Sequence, residues 1–361
     1  MTAIAFYAPM KSPRHPVPSG DREMARGLLA ALAGLGQGGT ALVSEFRSYE
    51  GQGDPAAQDR LRAEAQAEAA RLIQRGRAEG WRLWATYHNY YKAPDLLGPV
   101  VSEALGIPYV LFEASRADKR LTGPWAGFER AAGAACDRAQ VIYCLTARDR
   151  EALAAAQPPG QALVLLPPFL NREALPPAAR PVLGRLITVA MMRAGDKLAS
   201  YRQLAAALAL VQGEWSLDVI GSGAAEAEVR ALLAPFGARV RFLGALPPEG
   251  VAAALSEAAV YVWPGVNEAF GMAYLEAMAA GVPVIAEDRP GLREIVPAAG
   301  LVPQGDAAAF AAQIAAWLGC APDRAALAQA ARVEVAARHL LPAARAAIRA
   351  ALPVMQGEAG A

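Results

Sequence analysis

The segment NEAFGMAYLEAMAAGVPV, residues 267–284, contains the strongest pattern in the chain. A short apolar run that ends at Trp263 precedes it, and another apolar run, over 282–286, begins in its last residues. The stretch near 271–280 between these runs is rich in helix-forming residues, so the pattern predicts a strand, a helix and a second strand. Units of this kind build parallel sheets that carry helices on their faces.

The same segment also predicts an anion-binding site. Gly271 allows the backbone to turn sharply into the helix, and the amides of Phe270, Gly271 and Met272 then point outward from its N-terminus. Glu268 precedes the helix and Glu276 lies just over one turn inside it. This arrangement suits a nucleotide sugar, whose diphosphate would bind the amides while the glutamates bind sugar and ribose hydroxyls. A bare pair of glutamates would be more simply explained as solvated charges, so the whole string carries the prediction.

Strands and helices alternate along the rest of the chain as well. Apolar strands are predicted over residues 3–8, 40–44, 82–87, 108–112, 141–145, 162–166, 185–191, 216–220, 240–243, 260–263 and 282–286. Helices are predicted over 58–79, 96–105, 199–211, 225–234, 248–257 and 271–280 and after 306, and Ser19 and Thr146 are predicted to begin two more. A proline-rich stretch from Pro167 to Pro181 predicts a linker. The pattern therefore predicts an α/β fold with two doubly wound parallel-sheet domains, over residues 1–180 and 181–340.

The composition excludes several classes of protein. A hydrophobic fraction of 54% excludes a disordered chain, and 35 basic against 34 acidic residues argue against a nucleic-acid-binding protein. Three cysteines without a CxxC pair, and three scattered histidines, argue against a disulfide framework, a structural zinc site or a histidine-rich metal centre. The N-terminus does not resemble a signal peptide, and no apolar run is long enough to span a membrane, so we expect a cytoplasmic protein.

The segment 267–284 resembles the donor-site signature of the retaining glycosyltransferases of the GT-B fold, in particular the GT4 family. In that family a Glu, seven residues and a second Glu are set in a similar string, and Ala269 here replaces a usual glycine. The segments 220–223, 240–244 and 290–294 follow the family's order and approximate spacing. The resemblance covers most of the second half and is traceable in the first.

The resemblance implies two Rossmann-like domains that face each other across a cleft. Residues 1–180 would bind the acceptor and residues 181–340 the nucleotide sugar. The last helix, near 340–352, would pack back onto the first domain. Arg193 and Lys197 would neutralise the leaving diphosphate, although their spacing of four is one shorter than the family's. Without the resemblance, these two residues would more simply be solvated charges.

Two positions in the first half, His88 and Gly20, also receive roles from the resemblance. His88 would contact the donor sugar near the reacting carbon, with an ordinary hydrogen-bonded loop histidine as the alternative. Gly20 stands where the family has paired glycines beside the diphosphate, with a simple helix N-cap at Ser19 as the alternative. Glu113 could touch the acceptor, because it stands at the end of another predicted strand. A basic group near Gly20 could meet an anionic acceptor, although a solvated face explains this group more simply: Arg14, His15, Arg22 and Arg26.

The predicted reaction is the transfer of a hexose from a UDP- or GDP-sugar to an acceptor hydroxyl with retention at the anomeric carbon. Glu268 and His88 are the predicted catalytic residues. The DxD metal-binding pair of the GT-A class is absent, which favours metal-independent chemistry without a cofactor besides the nucleotide sugar. A peripheral membrane contact is expected only for a lipid acceptor.

Two alternative functions stay open, and a third is excluded by the sequence. A sugar-nucleotide epimerase would share the GT-B fold, and a non-catalytic relative would bind a sugar nucleotide or polysaccharide without transferring it. A dinucleotide-binding fingerprint at Gly221-Ser222-Gly223 fails, because Glu226 occupies the position of the third glycine or alanine.

Overall fold

Each half of the chain forms a six-stranded parallel sheet with helices packed on it, so the prediction of an α/β fold with two doubly wound sheets is confirmed. The computed structural model describes residues 3–35 and 38–352. Of the described residues, 3–35, 38–171 and 341–352 form the first unit, and 172–340 form the second unit.

The first unit has strand order β2-β1-β3-β4-β5-β6. Its strands are β1 (Ile4–Tyr7), β2 (Thr40–Ser44), β3 (Leu83–Asn89), β4 (Tyr109–Ala114), β5 (Val141–Cys144) and β6 (Ala162–Leu165). Its helices are α1 (Gly20–Ala33), α2 (Pro55–Glu79), α3 (Gly98–Leu105), α4 (Ala126–Arg138) and α5 (Ala147–Ala154). The strand order reverses between β1 and β3, which is where open α/β sheets bind ligands.

Local sequence explains most of these boundaries. The strands are continuous apolar runs because helices cover both faces of the sheet. Helix α1 begins where Ser19 accepts a hydrogen bond from the Arg22 amide at 3.2 Å, and α5 begins at the equivalent Thr146 cap. Helix α4 is absent from the sequence-based prediction. Gly127 and Gly133 weaken its helical propensity, and the helix is stabilised by burial of its apolar face.

The second unit has strand order β12-β11-β10-β7-β8-β9, the order of dinucleotide-binding Rossmann folds. Its strands are β7 (Arg185–Val189), β8 (Ser216–Ile220), β9 (Val240–Gly244), β10 (Val260–Val262), β11 (Val284–Glu287) and β12 (Leu301–Val302). Its helices are α6 (Asp196–Leu208), α7 (Glu226–Leu233), α8 (Pro248–Glu257), α9 (Met272–Ala279), α10 (Ala307–Gly319) and α11 (Ala321–Arg338). The strand order reverses between β7 and β10.

The division between the units falls nine residues before the boundary predicted from the sequence. The proline-rich stretch is bound to the second unit through its backbone. The amide of Ala179 donates to the Ala280 carbonyl at 2.7 Å, and the amide of Arg180 donates to the Ser256 carbonyl at 2.7 Å. Prolines therefore mark this stretch in the sequence, but hydrogen bonds assign it to one unit.

The chain returns to the first unit at its C-terminal end. Helix α12 (Leu341–Ala351) packs against α1, and the Tyr143 hydroxyl donates to the Ile348 carbonyl at 2.8 Å. Ile348 is completely buried. Within residues 3–35 and 38–352, no helix is both long enough and apolar enough to cross a membrane.

Candidate functional site

The loops that follow β7 and β10 meet at the point where the order of the second sheet reverses. Ligands of open parallel sheets bind outside the carboxyl ends of the strands at such a point. Lys197 lies just after the loop that follows β7, and Glu268 lies in the loop that follows β10. Helix α6 begins at Asp196, three residues before the predicted start at 199, so Lys197 lies in its first turn.

Lys197 and Glu268 form an ion pair, in which Lys197 Nζ donates to Glu268 Oε1. The indole Nε1 of Trp263 donates to the same oxygen at 3.2 Å, and the ammonium lies 5.7 Å from the centroid of that ring. Within the described residues, Glu268 Oε2 makes no hydrogen bond. One carboxylate oxygen thus orients the group, and the other is available to a bound molecule.

The first turn of α6 holds the loop after β10 at two further points. The buried Ser200 Oγ accepts a hydrogen bond from the Val266 amide at 2.9 Å. Asn267 Nδ2 donates to Asp196 Oδ1 at 2.9 Å, and Asn267 has a positive φ of 51°. Sequence analysis missed Ser200, because a lone serine in an Ala-rich helix carries no signal for a contact 66 residues away.

Two glycines shape the backbone between Glu268 and α9. Gly271 has a φ of 67°, and a Cβ there would lie 2.6 Å from the Tyr274 ring. A Cβ on Gly291 would lie 1.9 Å from the Ala269 carbonyl oxygen, so the chain can approach the loop this closely only at glycine. The two glycines therefore allow α9 to begin at Met272, directly after the loop that carries Glu268.

No side chain caps the N-terminus of α9. Gly271 and Met272 are half-buried there, whereas Phe270 is buried. The first amides of a helix carry partial positive charge and lack intrahelical acceptors. The backbone over 270–272 consequently offers donors to an anion next to the Lys197–Glu268 pair.

The other predicted donor-binding residues of the second unit are less closely associated with this pair. Arg193 is exposed, its guanidinium contacts Met191 Sδ, and it has no carboxylate partner among the described residues. Glu276 is half-buried on α9, one turn beyond its start. Both lie on elements that border the reversal point of the sheet.

The predicted residues of the first unit lie at its own reversal point. His88 is the last residue but one of β3, and Glu113 holds the same position in β4. The strands pair Tyr87 with Phe112 and Asn89 with Ala114, which places His88 and Glu113 opposite each other. Their φ values are 70° and 56°, and among the described residues only Asn267 is a further non-glycine residue with positive φ. Such strained residues concentrate at functional sites.

Charged groups surround His88. Its Nδ1 lies 3.8 Å from Glu113 Oε2 and 3.9 Å from Asp21 Oδ1, and neither Nδ1 nor Oε2 has a hydrogen-bond partner among the described residues. Burial raises the pKa of the Glu113 carboxyl, while the neighbouring His88 opposes this shift. Gly20 is the first residue of α1, directly after the Ser19 cap.

Within the described part of the chain, no group of three or more His, Cys, Asp or Glu residues is arranged to hold a metal ion.

Known proteins share the sequence of the second unit most clearly. Residues 184–334 match the family model of glycosyl transferases group 1. A phosphatidyl-myo-inositol mannosyltransferase of Mycobacterium leprae is 39% identical over 106 residues, which are 28% of each chain. A 2-deoxystreptamine N-acetyl-D-glucosaminyltransferase of Streptomyces fradiae is 31% identical over 244 residues, or 60% of this chain and 57% of that protein. The matches thus span between about a quarter and little more than half of these relatives.

Solved structures match the fold over nearly the whole chain. HepE of Anabaena in complex with UDP has a TM-score of 0.71 at 15% identity, with 98% of this chain and 99% of that chain covered. Sucrose-phosphate synthase of Thermosynechococcus elongatus has a TM-score of 0.69 at 20% identity, with 96% and 97% covered. These likenesses confirm the fold predicted from the sequence. Residues 184–334 thus match the glycosyl transferases group 1, and the fold of the chain is the one seen in the GT-B glycosyltransferase structures.

Proposed function

We propose that the protein is a retaining glycosyltransferase that moves a hexose from a UDP- or GDP-sugar to an acceptor hydroxyl without a metal ion. The observation that carries this proposal is the Glu268 carboxylate, held by Lys197 and Trp263 beside the uncapped N-terminus of α9. The group 1 family match supports it. So do the relatives named as mannosyl- and N-acetylglucosaminyltransferases, and structural neighbours solved with UDP or UDP-glucose.

The diphosphate is the leaving group, and cations and amides stabilise it. Lys197, Arg193 and the amides over 270–272 place positive charge around the β-phosphate oxygens, where negative charge develops as the bond to the anomeric carbon breaks. Glu276 would bind the vicinal hydroxyls of the ribose. Helix dipole and cations thereby take the part that a metal ion plays in other transferases.

The sugar end of the donor would bind Glu268. Its free Oε2 accepts a hydrogen bond from a sugar hydroxyl, and its charge stabilises the positive charge that develops at the anomeric carbon. The acceptor oxygen bonds to the anomeric carbon on the face that the phosphate leaves, and the departing phosphate oxygen takes the hydroxyl proton. Retention follows from this geometry without a covalent intermediate.

The first unit would complete the reaction. His88 holds a sugar hydroxyl, and the backbone at Gly20 approaches the diphosphate. The acceptor binds to this unit near Glu113. The strained backbone of His88 and Glu113 supports this assignment, because such strain persists where surrounding structure holds a side chain in a required place.

A binding measurement followed by product analysis tests the proposal. We expect UDP or GDP to raise the melting temperature equally with and without EDTA, because binding to the folded state stabilises it. Incubation with the matching nucleotide hexose should then release free nucleotide slowly by hydrolysis, and quickly once an acceptor is supplied. Loss of the stabilisation in EDTA would contradict metal independence.

The products separate the remaining candidate functions. An isomerised nucleotide sugar would identify an epimerase, and binding without release of nucleotide would identify a non-catalytic relative. Glu268→Gln should slow this release about 100-fold while leaving nucleotide binding largely intact. The exposed loop residue Glu214 provides a matched control, because Glu214→Gln changes the same chemistry outside the site.

A further inference from the structure

An aromatic ladder runs from His88 along the surface of the first unit. We use this name for the rings of His88, Tyr90, Tyr91 and Trp125. Their successive centroids are 4.8, 5.6 and 5.6 Å apart. All four side chains are half-buried, so each ring has one part in the protein and another in solvent. The ladder follows the carboxyl ends of β3 and β4, and β3 borders the reversal point at which such a sheet binds its ligand.

Two cations cover the far end of the ladder. The Arg120 guanidinium carbon lies 5.1 Å from the centroids of both Tyr91 and Trp125. Lys92 Nζ lies 5.8 Å and 5.5 Å from the same two rings. Among the described residues, neither cation forms an ion pair with a carboxylate. We call Lys92 and Arg120 the cation pair.

The nearby acidic residues do not neutralise the cation pair. Glu50, whose amide donates to the Lys92 carbonyl, directs its carboxylate to the backbone amides of Gln52 and Gly53 at 2.5 and 2.6 Å. Asp118 is exposed, two residues before Arg120. Among the described residues, no carboxylate therefore lies within ion-pair distance of Lys92 or Arg120.

Two buried donors at the same place lack acceptors. Arg120 Nε and Trp125 Nε1 are both shielded from solvent and have no hydrogen-bond partner among the described residues. Both groups can only donate, and a buried donor without an acceptor is unfavourable. Helix α4 begins next to Trp125 without a side-chain cap, which adds the positive end of a helix dipole. Any acceptor oxygen would satisfy these two donors, and the positive charge beside them favours an anion.

We propose that the cation pair and Trp125 bind a phosphate group on the acceptor. A guanidinium matches the oxygens of a phosphate, and an ammonium and an indole N–H can bind the remaining ones. The rings of Tyr90 and Tyr91 contact the part of the acceptor between this phosphate and the hydroxyl that reacts near His88. The identification of the phosphate-bearing molecule as the acceptor rests on the proposed function. Binding of a phosphate at this site is tested independently of that function.

Direct binding to defined probes tests the site. Glucose 6-phosphate is compared with glucose, and vesicles of phosphatidylcholine mixed with phosphatidylglycerol are compared with vesicles of phosphatidylcholine alone. The variants are the double substitution Lys92→Met with Arg120→Gln, and Trp125→Phe, which keeps an aromatic ring but removes the N–H. The control combines Lys119→Met with Arg60→Gln, because both residues are exposed and contact none of these rings. Thermal melting verifies that each variant is folded.

We expect the wild type to bind one phosphate-bearing probe about tenfold more tightly than its uncharged or zwitterionic counterpart. The double variant should lose this preference, Trp125→Phe should lose part of it, and the control should keep it. Added salt should weaken the binding. Preference for glucose 6-phosphate would identify a soluble phosphorylated acceptor, and preference for the anionic vesicles would identify a lipid headgroup.

The proposal is overturned if the wild type shows no preference for either probe, or if the double variant keeps the wild-type preference. UDP and GDP binding is measured on the same samples to separate this result from the proposed function. If the protein binds the phosphate-bearing probe but no nucleotide, only the proposed donor site is contradicted. Retained nucleotide binding with no phosphate preference would contradict the phosphate site alone.

Discussion

Lys197 donates a hydrogen bond to Glu268, 71 residues later in the chain. The two residues meet because β7 and β10 are neighbours in the second sheet, although two other strands separate them in sequence. Trp263 shares the same carboxylate oxygen, so a cation and an indole together orient one glutamate.

This pair predicts non-additive losses of transfer activity. Glu268→Gln should lower kcat about 100-fold, because a preorganised charge at the reacting carbon is lost. Lys197→Met should also lower kcat, both by removing charge from the diphosphate and by releasing the Glu268 side chain. The double variant should be less impaired than the product of the two single losses, since the residues act as a unit. Steady-state kinetics of the four proteins would show this. A double variant equal to the product of the single losses would show that the residues act independently.

The Ser200 hydroxyl should stabilise the donor loop. Ser200→Ala removes the acceptor of the Val266 amide, so we expect a loss of about 1 kcal/mol in the free energy of unfolding and a raised KM for the nucleotide sugar. Ser256→Ala is the control, because the hydroxyl of that exposed serine also donates to a helical carbonyl but accepts no hydrogen bond from a loop. Denaturant titration and kinetics provide the two readouts. An unchanged KM would mean that the loop keeps its position without this bond.

The raised pKa of Glu113 makes stability depend on pH in a defined direction. The folded state binds the Glu113 proton more tightly than the unfolded state, so this residue destabilises the fold increasingly as the pH rises above the ordinary value of 4.5. Glu113→Gln removes that effect. We therefore expect the melting temperature of the variant to exceed that of the wild type by more at pH 7.5 than at pH 5.

The exposed Glu103 supplies the control for this experiment. Glu103→Gln should shift the melting temperature little, and by the same amount at both pH values. The groups that face Glu113 are His88, Asp21, Tyr87 and Asp149, and all are retained in both variants. A Glu113→Gln difference that stays constant from pH 5 to pH 7.5 would contradict the assignment.

The cysteines should differ in their reactivity. Burial raises the pKa of the Cys136 and Cys144 thiols to about 12, so almost no thiolate exists there at pH 8. Cys320 is only half-buried at the end of α10. A colorimetric thiol reagent should therefore modify one thiol in the native protein and all three after unfolding. Reaction of three thiols at one rate under native conditions would contradict the buried positions.

Much of the fold could be predicted because strands and caps are local signals. The strands over 40–44 and 216–220 and the helix over 248–257 have the bounds predicted for them, and Ser19 and Thr146 begin helices as expected. Helix α4 and the two-residue strand β12 were missed. The first is interrupted by glycines, and the second is too short to show a pattern.

Some residues of the candidate site could likewise be predicted from the sequence, and others could not. Glu268, Gly271 and Glu276 stand in one continuous segment, so their spacing along the chain is enough to identify them. Ser200, Trp263 and the opposed pair of His88 and Glu113 have no such signal. Their contacts depend on which strands are neighbours, and the roles proposed for them remain predictions.

The sequence by itself determined the alternation of strands and helices, the match of residues 184–334 to the glycosyl transferases group 1 and the segment that carries Glu268, because each depends on residues close together in the chain. Only the tertiary structure decided that Lys197 meets Glu268, that His88 lies opposite Glu113, and that Lys92 and Arg120 share two aromatic rings. Strand order brings these groups together, and strand order is set by packing of whole helices and sheets, which no short stretch of sequence encodes.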